Sequence, residues 1–268
     1  MPVASDVEAV ARDGGATDDE TAGDETAGDG LPVNEVFYSL QGEGRLAGVP
    51  SVFVRTAGCN LRCWFCDSYD TSWEPSGAWL DVDSIVEEVR SYEQADHVVL
   101  TGGEPLIHEE SVRLLDELSD AGYHTTVETN GTIHRDAAID LASVSPKLSS
   151  SAPTPERDPK GDGEWAERHE ERRIDVDALA ALVDDYESQL KFVVTDGDDL
   201  PEIAAVVDRV REASTTGVRD DEVLLMPEGM TRDQLDRTRN EVAELAIEYG
   251  YRYTPRLHVD LWNDAKGT

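Results

Sequence analysis

Ser51-Val52-Phe53-Val54-Arg55-Thr56-Ala57-Gly58-Cys59-Asn60-Leu61-Arg62-Cys63-Trp64-Phe65-Cys66-Asp67-Ser68 is an apolar, β-branched run that opens into three closely spaced cysteines. Residues 51–57 read as a strand, because β-branched and aromatic side chains suit a pleated, buried surface. Cys59, Cys63 and Cys66 are the only cysteines in 268 residues. An odd count, behind an acidic N-terminus without the apolar core of an export signal, argues against a disulfide framework. Thiolates spaced CxxxCxxC on a loop after a strand can wrap one metal centre. Three of them fill three positions of a 4Fe-4S cubane and leave the fourth iron open to a ligand. A zinc knuckle would need histidine as a fourth ligand, and no histidine lies within thirty residues of Cys66. Ligand count and spacing favour iron–sulfur.

Outward from this loop the chain alternates short apolar runs with helical periodicity. Upstream, residues 33–39 form a second β-rich run, joined to 51–57 by a glycine-rich turn at 42–48. Downstream, Asp81 or Asp83 can cap a helix to about Tyr92 with Ile85, Val86 and Val89 on one face. A strand at 97–100 precedes Thr101-Gly102-Gly103-Glu104-Pro105 and a helix through Val112, Leu115 and Leu118. Further strands are expected at 123–129, 144–146, 190–194, 223–226 and 251–257. Helices are expected near 134–141 and over 175–187, 200–213 and 231–249. Residues 149–173, rich in Ser, Pro, Gly and charge, read as a loop insertion. The alternation predicts an α/β fold with a mostly parallel sheet, an incomplete (β/α) barrel of about six βα units. Residues 1–30 repeat Thr-Ala-Gly-Asp and lack aromatics, so they read as a disordered acidic leader before a single catalytic domain over 31–268.

Charge excludes several functions. Twenty-three basic residues stand against 58 acidic ones, a formal net charge of −35. The leader holds only nine of those acids, so the folded part is itself strongly acidic. Such a surface repels nucleic-acid phosphates and anionic membranes, and no apolar run reaches the roughly 20 residues of a membrane-spanning helix. Four Lys against nineteen Arg, with this acid excess, read as a cytoplasmic protein adapted to molar salt, where self-repulsion is screened.

The motifs resemble a known family. CxxxCxxC after a strand, with Phe65 before the last cysteine and Thr101-Gly102-Gly103-Glu104-Pro105 at the next strand end, resembles the radical S-adenosylmethionine (SAM) superfamily. Within it, Asn34-Glu35-Val36-Phe37-Tyr38-Ser39-Leu40-Gln41-Gly42-Glu43-Gly44, Gly58-Cys59-Asn60-Leu61-Arg62-Cys63, Cys66-Asp67-Ser68, Glu128-Thr129-Asn130-Gly131 and Ser145-Pro146-Lys147 resemble, in that order, the 7-carboxy-7-deazaguanine synthase family. That likeness implies a radical ring contraction of 6-carboxy-5,6,7,8-tetrahydropterin to the deazapurine with loss of ammonia, on the queuosine and archaeosine precursor route. It implies a 4Fe-4S cluster on Cys59, Cys63 and Cys66, with SAM bound at the open iron and cleaved to a deoxyadenosyl radical. Phe65, Cys66, Asp67, Gly103, Glu104, Ser145, Pro146 and Lys147 would bind the cofactor, Glu104 by meeting its ammonium group. Leu40, Gln41, Gly42, Arg55 and Thr101 would bind the pterin.

Residue chemistry agrees in part. Gln41 offers an amide that can pair with a heterocycle edge. Arg55, in an otherwise apolar strand, should face a carboxylate, either the substrate's or that of a structural acid. Ser68 stands where the family keeps the threonine hydroxyl that holds Mg²⁺. It retains the oxygen but not the methyl that restricts the rotamer. Arg55, Lys147 and Mg²⁺ are expected to make a local positive pocket. The resemblance further implies a reductant such as flavodoxin or ferredoxin and a homodimer. A glycyl-radical activase would share the cysteine loop without needing the Leu-Gln-Gly-Glu-Gly turn, and a non-enzymatic metal-binding module would not cleave the cofactor.

Overall fold

The structure is a computed structural model that describes residues 3–5, 7–13, 30–263 and 265. From the N-terminus, β1 (Val3–Ala4) and α1 (Val7–Asp13) precede a long strand β2 (Gly30–Leu40) and β3 (Pro50–Thr56). After the cysteine loop come α2 (Tyr69–Ser72), β4 (Ala78–Asp81), α3 (Val82–Ser91), β5 (His97–Gly102), α4 (Glu110–Asp120), β6 (His124–Thr129) and β7 (Leu141–Val144). The rest is α5 (Ala166–Arg172), α6 (Val176–Asp185), β8 (Ser188–Val194), α7 (Leu200–Ala213), β9 (Val223–Pro227), α8 (Arg232–Tyr249), β10 (Arg252–Tyr253) and α9 (Leu257–Trp262).

The strands form one sheet in the order β1-β2-β3-β5-β6-β7-β8-β9-β10, with β4 on β2. From β3 to β10 every pairing is parallel, whereas β1, β2 and β4 join antiparallel. The result is the unclosed, mostly parallel α/β sheet expected. Crossover helices bury Val, Leu and Ile against its outer face, as in α3, whose Asp81 cap accepts from Ser84 N at 2.8 Å while Ile85, Val86 and Val89 are buried. On the inner face Phe37 and Phe53 stack with ring centroids 4.9 Å apart, beneath the cavity.

Five local expectations change. The 1–30 leader is ordered over two pieces. Val3–Ala4 pairs with Phe37 and Tyr38, and Val7, Val10 and Ala11 of α1 pack on the core at helical spacing; residues 14–29 lie outside the described residues. No helix forms at 134–141, because backbone groups there are taken by neighbours: Tyr186 Oη accepts from Ala137 N at 3.2 Å, Asp116 from Ala138 N at 2.8 Å, and the Ala138 carbonyl accepts from Thr125 Oγ1 at 2.7 Å. The strand expected at 144–146 is β7, shifted upstream and buried throughout. The 149–173 insertion contains α5, and the strand expected over 251–257 stops at Tyr253. Thr254 and Leu257 instead bond the 42–48 turn: Gly44 N donates to Thr254 Oγ1 at 2.7 Å and Leu257 N to the Gly42 carbonyl at 2.8 Å. That crossing brings α9, which the sequence pattern did not announce, to the mouth of the sheet.

Candidate active site

The carboxyl ends of β3, β5, β6 and β7, the 41–44 turn and the start of α9 enclose a cavity of about 890 Å³. Its first wall is the cysteine loop. The exits of β3 and β5 lock together as Gly103 N donates to the Thr56 carbonyl at 3.0 Å and Glu104 N to Gly58 at 2.8 Å. Side chains would prevent this. A Cβ on Gly102, at φ +121°, would stand 2.1 Å from the Thr56 oxygen, and one on Gly103 2.0 Å from the Gly58 oxygen. The glycine pair therefore seats strand end on strand end directly beside Cys59, in addition to facing the cavity.

All three cysteines line the cavity as free thiols. Leu61 N donates to Cys59 Sγ at 3.4 Å and Ser72 Oγ to Cys66 Sγ at 3.1 Å. Burial pushes the Cys59 and Cys63 thiols up to about 12 and raises Cys66 as well. Thiolates here need the positive charge of a bound metal. Among the described residues no three His, Cys, Asp or Glu side chains converge as ligands of a single ion would. A cubane takes each thiolate on a different iron and needs no such convergence. The donor set fits it.

Phe65, Gly103, Ser145 and Lys147 face the same space, with Lys147 Nζ on Ser145 Oγ at 2.7 Å. Glu104 does not. Its buried carboxylate accepts from Leu106 N at 3.1 Å, Thr129 Oγ1 at 2.8 Å and Asn130 N at 2.6 Å, and burial raises its pKa. It fastens the ends of β5 and β6. Pro146 is likewise buried outside the cavity lining.

The second wall is ionic. Leu40, Gln41, Gly42, Arg55, Asp67, Ser68 and Thr101 line the cavity. They do so among charges whose roles the sequence pattern did not announce. Lys191, a lone cation in the apolar strand β8, pairs with Glu43 and stands 3.7 Å from Glu128. Arg256 holds Glu43 at 3.0 Å and Asp67, and donates to the Gly229 carbonyl at 2.6 Å. Although burial pushes Glu43 upward, the Lys191 and Arg256 charges hold its carboxyl well below the ordinary range. Against the opposite pull of burial, the same acids raise both cations. Glu128 accepts from Thr101 Oγ1 at 2.8 Å and Gln41 Nε2 at 3.3 Å. Gln41 Oε1 accepts from Glu43 N at 3.0 Å, so the amide shapes its own turn. Arg55 pairs with its cross-strand neighbour Glu35 at 3.1 Å and lies 4.9 Å over the Phe37 ring. Ser68 Oγ is 3.5 Å from Asp67 Oδ1. His258 packs so closely on Gly42 that a Cβ there would stand 1.8 Å from its ring nitrogen. The pocket is thus not simply positive; four basic residues are interleaved with Glu35, Glu43, Asp67, Glu128 and Glu228. A lysine inside an apolar strand was the one signal that could have exposed Lys191 in advance, by the logic that singled out Arg55.

Residues 53–147 match the Radical SAM superfamily. The chain is 68% identical over 252 residues to the 7-carboxy-7-deazaguanine synthase of Halobacterium salinarum, covering 94% of this chain and 98% of that protein. It is 43% identical over 239 residues to the enzyme of the same name from Rhodopirellula baltica, covering 89% of each. The crystal structure of QueE from Escherichia coli superposes with a TM-score of 0.57 at 24% identity, covering 85% of this chain and 95% of that one, which shows a shared fold.

Proposed function

The chain belongs to the 7-carboxy-7-deazaguanine synthase family of radical SAM enzymes, and from that premise we propose how its two walls divide the work. The reaction is a carbon–nitrogen lyase step, the ring contraction of 6-carboxy-5,6,7,8-tetrahydropterin to 7-carboxy-7-deazaguanine with loss of ammonia. The family implies a 4Fe-4S cluster and SAM, which when bound supply a radical able to abstract hydrogen from the substrate. Cys59, Cys63 and Cys66 hold the cluster; Phe65, Gly103, Ser145 and Lys147 position the cofactor beside it.

The ionic wall binds and orients the pterin. Glu43 and Glu128 are fixed acceptors for the N–H groups of an amide-edged heterocycle, with Gln41, Thr101 and the backbone of Leu40 and Gly42 closing the edge. Arg55, whose ion-pair partner among the described residues is Glu35, receives the substrate carboxylate from Nη atoms at the cavity. Ser68 and Asp67 offer adjacent hard oxygens to a Mg²⁺ that keeps several waters. The sheet excludes water from the inner face through Phe37 and Phe53. A flavodoxin- or ferredoxin-type reductant, a homodimer, a cytoplasmic setting and entry of the product into queuosine or archaeosine synthesis complete the reading.

The observation that carries it is that one cavity is lined by three cysteines together with a separate set of polar and charged groups. Anaerobic assay of the reconstituted protein with SAM, dithionite, Mg²⁺ and carboxytetrahydropterin in molar KCl should yield the carboxydeazaguanine. Cleavage of SAM without that product would overturn the substrate assignment. The acidic surface is read as salt adaptation, so the melting temperature should climb steadily from low to molar KCl; a flat series rejects it.

A further inference from the structure

Cys63 is buried and lines the cavity, while its chain neighbours Arg62 and Trp64 are half-buried and backed by the 149–173 insertion. Arg62 N donates to His169 Nδ1 and Trp64 N to the Ser151 carbonyl, each at 3.2 Å. Trp64 Nε1 adds a bond to the Ser150 carbonyl at 2.7 Å. Two stacks stand on this backing. The exposed Arg157 guanidinium lies 5.2 Å from the centre of the Trp64 ring, and Arg62 and the exposed Arg168 lie 4.4 and 4.6 Å from that of Trp165. Apart from Arg55 on Phe37, every guanidinium seated over a ring among the described residues is here.

Their charge is uncancelled in a chain where acids outnumber bases by 58 to 23. Elsewhere on the surface Arg113, Arg211 and Arg219 are each answered by a carboxylate. Arg62, Arg157 and Arg168 have no carboxylate partner among the described residues; Arg62 and Arg157 donate instead to the carbonyls of Cys59, Leu61 and Ser150. A ring holds a guanidinium in place and leaves its charge on offer. The insertion carries seven acids as well, so the patch acts at contact range and not as a long-range field. Contact pairs are also what survives at molar salt. Arginine and tryptophan anchor protein interfaces, and electron-transfer encounters need little area, under about 1,200 Å².

We propose that Arg157, Arg168 and the rings of Trp64 and Trp165 form the docking surface of an acidic one-electron carrier protein, seated directly behind Cys63. The carrier loses one electron and the cluster gains it; no bond or proton changes hands. Acidic side chains of the partner meet the unanswered guanidinium groups, and the tryptophans supply the apolar contact. The inference rests on the iron–sulfur reading of the cysteines and names the partner of that site, with the insertion as its platform.

The test compares two reductants on the reconstituted holoenzyme in molar KCl, with iron counted per chain. Dithionite needs no docking surface; a purified acidic ferredoxin, reduced beforehand and freed of excess reductant, does. Wild type should form 5′-deoxyadenosine from SAM with both. The double variant Arg157→Glu, Arg168→Glu should keep its iron and its dithionite rate, while the ferredoxin concentration giving half-maximal rate rises roughly tenfold. An unchanged ferredoxin dependence overturns the docking surface, and if self-association is lost instead, the face belongs to a second copy of this chain. If the double variant loses iron, Arg157→Gln with Arg168→Gln, which removes the charges without reversing them, decides in its place, with a rise of about threefold or more expected. A wild-type protein that takes up no iron, or cleaves no SAM with dithionite, overturns the cluster reading itself, a result separable from an unchanged ferredoxin dependence.

Discussion

The two walls of the cavity are built on opposite principles. The cysteine wall is contiguous in sequence and held by backbone hydrogen bonds, glycine packing and buried neutral groups such as His169 and Ser151. The ionic wall gathers Gln41, Glu43, Glu128, Lys191 and Arg256 from four separate segments and is held by charge. A cluster brings its own charge, so its cradle needs neutral donors that do not compete with iron. A flat polar substrate brings hydrogen-bonding edges, so its site must already contain fixed charges, and in a buried setting these survive only in pairs.

The comparison can be broken most completely at Cys63. Cys63→Ala should abolish both the visible absorbance of the cluster and product formation while leaving the melting curve of the apo protein close to wild type. Retained product would end the radical assignment.

Glu43→Gln attacks the other wall. It leaves Lys191 only the more distant Glu128 and Arg256 only Asp67 as counterions, so the loss should approach the roughly 3–5 kcal/mol of breaking a buried pair by removing one partner, visible as a depressed denaturation midpoint. Acid should expose the same dependence. Glu43 is held below its ordinary range in the fold, so its contribution is present at neutral pH and disappears as pH falls through the carboxylate range. His97 and His169 are pushed down to about 4 by burial, so the unfolded chain takes up protons that the fold refuses between pH 6.5 and 4, and stability declines across that window too. In Glu43→Gln the histidine-dependent decline should remain while the steeper acid limb flattens; an unchanged acid limb would remove Glu43 from the network.

Arg55→Ala should raise KM about 10- to 100-fold with a smaller change in kcat, the loss of a charge-assisted hydrogen bond worth ~1.5–3 kcal/mol. An unchanged KM would leave Arg55 as the partner of Glu35 alone. The smallest effect is expected from Ser68→Thr, where restoring the β-methyl restricts the rotamer by ~0.5–1 kcal/mol. The Mg²⁺ concentration giving half-maximal activity should fall two- to fivefold, and no response to Mg²⁺ in either form would exclude the ion from Ser68.

Legibility followed the same division. The cysteine loop, the β5 glycines and Ser145–Lys147 each announce themselves within a few residues, because their spacing along the chain is the chemistry. Arg55 was visible as a charge in an apolar strand, but whether it meets Glu35 depends on the β2–β3 register. Glu104 shows a related limit. Its motif placed it at the strand end correctly, yet only the neighbouring end of β6 could show that its carboxylate is spent on Thr129 and Asn130. The leader and the 251–257 segment went astray where short amphipathic pieces gain structure solely by docking.

What the sequence determined by itself was the local chemistry: three closely spaced cysteines, a βα alternation and an acidic surface, each of which depends on composition or spacing over short distances. Tertiary structure alone decided which charges meet. Lys191 and Arg256 lie 65 residues apart in the chain, yet both grip Glu43 from β8 and the run into α9. Buried ions are stable only beside their counterions, and sheet order, not chain order, makes them neighbours.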